Sequence, residues 1–230
     1  MENTELLEPA PTKKPTARPA RAKASSTTQE AILDAAEFVF SRSGYDGATV
    51  KGIAKQAKCY ESLIYYYFES KDKLFLHVLE NAYRKLTLAE KSLKLDFDDP
   101  EKALSDVILF LWKYYQKHPE LIILLNTENL LKGKHLPKIR NRSQTSAPSE
   151  FLSPAVSILE EVVSRGIQKK LFKEDINVID LYLTIRGLGY FYLSNRYTLS
   201  SFLGKDLMAP AERNRWGGVM VDTVFASVRR

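Results

Sequence analysis

The stretch from Thr49 to Lys73, TVKGIAKQAKCYESLIYYYFESKDK, leaves the chain few ways to fold. Thr49 is suited to accept a hydrogen bond from the free amides of a first helical turn, an N-cap role. Val50, Ile53, Ala54 and Ala57 then recur at helical spacing, while Lys51, Lys55 and Lys58 fall on the opposite side. After Lys58-Cys59-Tyr60 the apolar positions resume at Leu63, Ile64, Tyr67 and Phe68, and Ser70 is placed to cap a third helix from Lys71. Helices this short do not hold together alone, because nucleation is costly, so both must lean on neighbours. The pattern predicts a helix-turn-helix whose second helix is presented outward.

The run Ile64-Tyr65-Tyr66-Tyr67-Phe68-Glu69-Ser70-Lys71-Asp72-Lys73-Leu74, preceded by Ile53-Ala54, resembles the signature of the tetracycline-repressor (TetR) family. The likeness extends upstream through Ala31-Ile32-Leu33-Asp34-Ala35-Ala36 and Phe40-Ser41-Arg42-Ser43-Gly44-Tyr45, covering about residues 27–75. Two departures stand in the turn. Lys58-Cys59-Tyr60 replaces the family's Gly-Val-Ser, and Ser62 replaces its next glycine. A lysine forced into a left-handed backbone costs about 1–2 kcal/mol, and the missing serine cap about 1 kcal/mol.

The resemblance implies an all-α fold with a three-helix DNA-binding domain over 27–73 and a helical ligand-binding and dimerisation domain over 74–230, preceded by a basic tail over residues 1–26 whose proline-rich composition predicts disorder. It implies a double-stranded DNA operator as partner and a homodimeric repressor released by a small-molecule effector; with no secretory signal or membrane-length run, a cytoplasmic location is expected. An activator, or a regulator without a ligand, remains the alternative within DNA binding. The family's DNA contacts fall on Thr49, Lys51, Glu61, Ser62, Leu63, Tyr65, Tyr67 and Lys71, with Tyr60 and Tyr66 beside them. Hydroxyls and ammonium groups suit phosphates, which position without specifying. Leu63 suits a thymine methyl and Glu61 a cytosine amine. The spacing of Tyr67 with Phe68 fits a core position equally well.

Charge alone does not prove such a partner. The chain carries +6 overall, but residues 27–73 hold six basic side chains against seven acids, so the placement of the lysines must carry the reading. The excess sits partly in the tail, where Lys13, Lys14, Arg18, Arg21 and Lys23 stand among four prolines. That segment suits either a phosphate-following arm or a solubilising tail.

Other classes find little support. Cys59 is the one cysteine, so there is no intramolecular disulfide, and it reads as a small buried hydrophobe. His77, His118 and His135 are scattered without metal spacing, and no phosphate loop or nucleophile elbow is present. An α-helical enzyme is a remote alternative. No metal or cofactor is expected, and no apolar run is long enough for a membrane.

Along the chain, Thr27-x-x-Glu30 reads as a capping box opening helix 1, with Ile32, Ala35, Ala36, Val39 and Phe40 as its buried stripe and Gly44 as its end. A helix over about 71–91 follows, then one opened by Asp99-Pro100 and another by Pro119. Residues 132–149 read as a loop, and a helix follows from near Ser149 or Ser153 to about Lys170. Asp175 is placed to cap a helix through IDLYLTIRGLGYFYLSNRYTL, and Pro210 opens the last. The run after Asp175 is apolar nearly all round, so it needs two partners, its own core and something else; the TetR resemblance implies that the second is another subunit, paired through the last two long helices. From His118-Pro119 to Gly204-Lys205-Asp206-Leu207 the chain weakly resembles the pyrimidine-utilisation regulators of the same family.

A ligand pocket is what the family resemblance implies here. Its candidate lining is Trp112, Tyr115, Leu125, Glu128, Tyr182, Arg186 and Tyr190. Arg186 shares a helical face with Tyr182, Tyr190 and Leu193. It suits either a ligand anchor or a structural ion pair, with Glu128 as its candidate partner.

Overall fold

The computed structural model describes residues 18–138 and 154–230, and within them every regular element is a helix. Helix α1 (Arg18–Gly47) leads into α2 (Val50–Ala57), α3 (Glu61–Phe68) and α4 (Lys71–Lys91). The larger C-terminal group holds α5 (Pro100–Lys117), α6 (Pro119–Leu130), α7 (Pro154–Gln168), α8 (Val178–Ser194), α9 (Arg196–Leu203) and α10 (Pro210–Val228).

Helix α1 starts earlier than the capping box suggests. Residues 1–17 of the expected tail lie outside the described residues, but from Arg18 the backbone is helical, and Thr27 is inside the helix. Ala20, Ala22 and Ala24, with lysine and arginine between them, are strong helix formers, and Pro19 occupies a first turn that needs no amide donor. Ile32, Ala36 and Phe40 are fully buried along the expected stripe. Gly44, at φ 67°, breaks the helical path where expected and leaves one further turn to Gly47.

Helix α4 joins the two halves. Leu74, Phe75, Val78, Leu79, Ala82 and Leu86 are buried along it, and so are Leu76 and Glu90. Its first turn sits in an aromatic cluster with α1 and the segment after α6. Phe75 meets Phe40 edge-on at 4.9 Å and His135 at 5.1 Å, and Tyr45 lies 5.2 Å from Phe75. One hydrophobic core therefore runs from α1 through α4 into the C-terminal helices.

Two C-terminal boundaries differ from the sequence reading. Asn177, not Asp175, caps α8, its side chain accepting from the amides of Ile179 at 2.9 Å and Asp180 at 3.2 Å. The apolar run is also split: α8 ends at Ser194, Asn195 caps it, and α9 starts at Arg196. Residues 139–149 of the expected loop lie outside the described residues.

The two glycines of α8 have opposite surroundings. A Cβ on Gly189 would press on the Tyr115 ring at 3.3 Å, so this glycine lets α5 and α8 approach closely. A Cβ on Gly187 would meet nothing. Gly187 lies on an outward stripe with Ile179, Leu183 and Phe191, each more than half exposed. On α10 the outward Gly218 is equally open.

Candidate nucleic-acid interface and ligand cavity

Thr49 caps α2 as expected, its hydroxyl accepting from Gly52 N at 3.0 Å. Lys58 takes the left-handed conformation at φ 52° and ψ 44°, and its amide donates to Ala54 and Lys55 carbonyls. The lysine thus takes the left-handed conformation that a glycine at this position adopts without strain. Tyr60 stands at the N-cap of α3 and makes no side-chain cap, the loss anticipated from the missing serine. Cys59 is half-buried rather than fully enclosed, and burial raises its thiol pKa.

Helix α3 turns Ile64 and Phe68 into the core and leaves Glu61, Ser62, Tyr65 and Tyr66 exposed. Tyr60 and Tyr66 are 81% and 77% exposed. Leu63 and Tyr67 are half-buried; Tyr67 meets Tyr66 edge-on at 5.1 Å. Thr49, Lys51, Lys55 and Lys58 are exposed on and around α2. The structure therefore brings the predicted contact residues to one end of the molecule, with Leu63 and Tyr67 at its margin.

Lys71 lies with its ammonium 4.5 Å from the centre of the Tyr45 ring. The neighbouring Asp72 is the hub of a junction that the sequence did not reveal. Its carboxylate accepts from Tyr45 Oη at 2.5 Å and pairs with Lys134 Nζ at 2.7 Å, and His135 Nε2 stands 3.5 Å away. The hydrogen bonds from Lys134 and Tyr45 hold Asp72 well below the usual carboxylate range. Burial and the bond to Asp72 push the Tyr45 phenol upward.

Glu128, expected near a ligand, instead organises the turn after α6. It is 1% exposed. One oxygen accepts from the amides of His135 at 2.6 Å and Leu136 at 3.0 Å, and the other meets His135 Nδ1 at 2.8 Å. The fully buried His135 stands between Glu128 and Asp72, linking α6 to the start of α4.

Arg186 pairs with Glu90 rather than Glu128. Nη2 donates to Glu90 Oε1 at 2.7 Å, Nη1 donates to Tyr115 Oη at 3.1 Å, and the guanidinium lies 4.8 Å from the Tyr182 ring centre. Glu90 is 3% exposed. Burial alone would lower the Arg186 pKa, but Tyr115, Tyr182 and Glu90 outweigh it and hold it up, so the side chain stays cationic. The nearby Tyr83 phenol is pushed up to about 12 by burial, eased by Arg186.

Beside this pair lies a narrow cavity of ≈ 20 Å³ between α4, α5, α7 and α8. Its walls include Leu93, Val107, Phe110, Leu111 and Ile158, with Glu90, Tyr182 and Arg186 at one side. Of the expected lining, Tyr182 and Arg186 are there, and Tyr115 touches it through Arg186. Trp112 is instead locked in the core, donating to Arg213 O at 3.0 Å and meeting Tyr192 edge-on. Tyr190 bonds Asn126 on α6, and Leu125 packs against the core, both away from the cavity. The sequence reading missed Glu90 because it is 96 residues from Arg186 and looks like any surface glutamate of an amphipathic helix.

A helix-turn-helix with an outward second helix, joined by one long helix to a helical body, points to a DNA-binding transcriptional regulator. The model for bacterial regulatory proteins of the tetR family matches residues 32–78, and the model for the tetracyclin repressor-like C-terminal domain matches 100–224. The chain belongs to the TetR family. It is 41% identical to the transcriptional repressor NicS of Pseudomonas putida over 91% of this chain and 96% of that one. It is 30% identical to the regulator RutR of Escherichia coli over 48% and 51% of the two chains. The crystal structure of a transcriptional regulator, SCO4942 from Streptomyces coelicolor, shares the fold at TM-score 0.63 and 20% identity, covering 87% and 98% of the chains. Among the described residues no helix is long and apolar enough to cross a membrane, and none group as a metal site.

Proposed function

We propose that the protein is a cytoplasmic, homodimeric repressor that leaves its operator when a small molecule enters the cavity beside Arg186. The repressor assignment draws on the likeness to NicS, whose name describes a transcriptional repressor. Residues 27–73 act as the DNA-reading part, 74–230 as the effector-binding and dimerising part, and α4 as the lever between them.

The observation that carries this reading is the pairing of two surfaces on one continuous core. The tyrosine-rich face of α3 supplies one, and the apolar stripe Ile179, Leu183, Gly187 and Phe191 on α8 supplies the other. An exposed apolar stripe on a long helix calls for a partner, and a two-fold contact between identical copies is the commonest solution. Two copies then present two copies of α3 to successive major grooves, about one DNA turn apart.

The test is titration of DNA from upstream of the protein's own coding region, with sedimentation of the free protein. The expected result is a dimer at micromolar concentration that binds this DNA with strong salt dependence. A monomer without affinity for that DNA contradicts it.

A further inference from the structure

The one charged feature of the cavity wall is also the one that ties it to α4. Glu90 sits in the last turn of α4 (Lys71–Lys91), Arg186 midway along α8, and their ion pair forms one side of an otherwise apolar and aromatic enclosure. Resting on the reading of this cavity as the effector site, we propose that the effector is a small aromatic or cyclic carboxylate whose carboxylate replaces that of Glu90 on Arg186. Ligand binding and release of the end of α4 are then one exchange.

The chemistry selects the anion. Arg186 is permanently cationic, and its guanidinium offers a planar fork that matches a carboxylate. Tyr182 lies against the guanidinium at 4.8 Å and Phe110 is in the cavity wall, which suits a flat ring. Two carboxylates on one guanidinium in an enclosed apolar space carry an uncompensated buried charge, so the arriving anion must expel Glu90. Glu90 has somewhere to go, because Lys91 and Ser92, directly after it, are exposed. A cation meets Arg186 head-on, and a neutral molecule leaves the pair in place and has no charge with which to move α4. The cavity as it stands has room for about one water molecule, so any ring must also part α4 from α5 and α7.

The test uses the full-length protein and three probes of one shape: benzoate, benzamide and benzylamine. Melting temperature, calorimetric affinity and affinity for the upstream DNA are measured with each. Benzoate is expected to raise the melting temperature and to weaken DNA binding by roughly 5–150-fold, the usual span of allosteric coupling, while benzamide and benzylamine do neither. Glu90→Gln, which removes the competing charge at constant shape, is expected to bind benzoate at least tenfold tighter. Arg186→Lys, which keeps the charge and loses the fork, is expected to bind it at least tenfold more weakly. A merely structural pair predicts lower stability in Glu90→Gln without any gain for benzoate, and that result overturns the exchange. If Glu90→Gln does not fold, the wild-type probe series decides alone. Equal effects of benzoate and benzamide overturn the anion while leaving the effector reading intact. No binding by any probe also overturns the proposal. The effector reading is then judged by Ala155→Phe, whose ring is larger than the cavity and so parts its walls from within; it is expected to alter DNA affinity without any ligand.

Discussion

The DNA-reading end and the cavity end of this molecule are built on opposite plans. From Thr49 to Ser70 the interactions that set the helices are local: Thr49 caps onto Gly52, Ser70 onto Lys73, and Ile64 and Phe68 fall on the buried side of a two-turn helix. At the cavity the decisive interactions join distant parts of the chain. Glu90 meets Arg186 across 96 positions, and Tyr115 meets Arg186 across 71. A local plan leaves periodicity and capping signals in the sequence; a long-range plan leaves only residue types that have many other uses. The lesson is that the surface touching the partner is readable from order along the chain, whereas the switch that controls it is readable only from packing.

That contrast makes its strongest prediction at the cavity. Arg186→Leu leaves Glu90 buried without its cation and is expected to cost about 3–5 kcal/mol of stability, seen as a large drop in melting temperature. Little change would show the pair to be dispensable and would break the distinction drawn here. The corresponding loss at the other end is of affinity and not of fold. Tyr65→Ala removes a half-exposed side chain from the outward face of α3 and is expected to weaken operator binding by roughly tenfold to a hundredfold, with an unchanged melting curve.

Smaller effects separate the two plans further. Lys51→Ala is expected to lower affinity for all DNA sequences alike and to reduce the salt-dependence slope by about one. Acid tests the junction between the ends. Asp72 has a depressed pKa in the folded state, so its contribution is complete above the ordinary carboxylate range and is lost as the pH falls below about 4. Asp72→Asn is therefore expected to lower stability near neutrality and to flatten the acid limb of a melting-temperature series between about pH 5 and 2. An unaltered acid limb would remove Asp72 from the junction.

The legible part of the fold was substantial. Helices α2, α4 and α5 begin where the caps Thr49, Ser70 and Asp99 place them, and α6 opens at Pro119. Helix α1 escaped because its first nine residues look like part of a proline-containing basic tail, although Pro19 falls in a first turn that tolerates it. Asp175 was a plausible cap, but Asn177 lies closer to the amides that need one. The half-burial of Tyr67 was an open choice in the sequence, since its spacing fits either side of α3. Glu128 was invisible as a turn-organiser because its partners are the backbone amides of the segment after α6, and backbone donors leave no trace in residue type.

The most direct test of the account is footprinting of the protein on genomic DNA, comparing wild type with Tyr65→Ala and following the dimer of each by sedimentation. The account predicts protected sites made of two half-sites about one helical turn apart, lost in Tyr65→Ala while its dimer persists. Protection of the same sites by Tyr65→Ala would contradict the assignment of α3 as the helix that reads DNA.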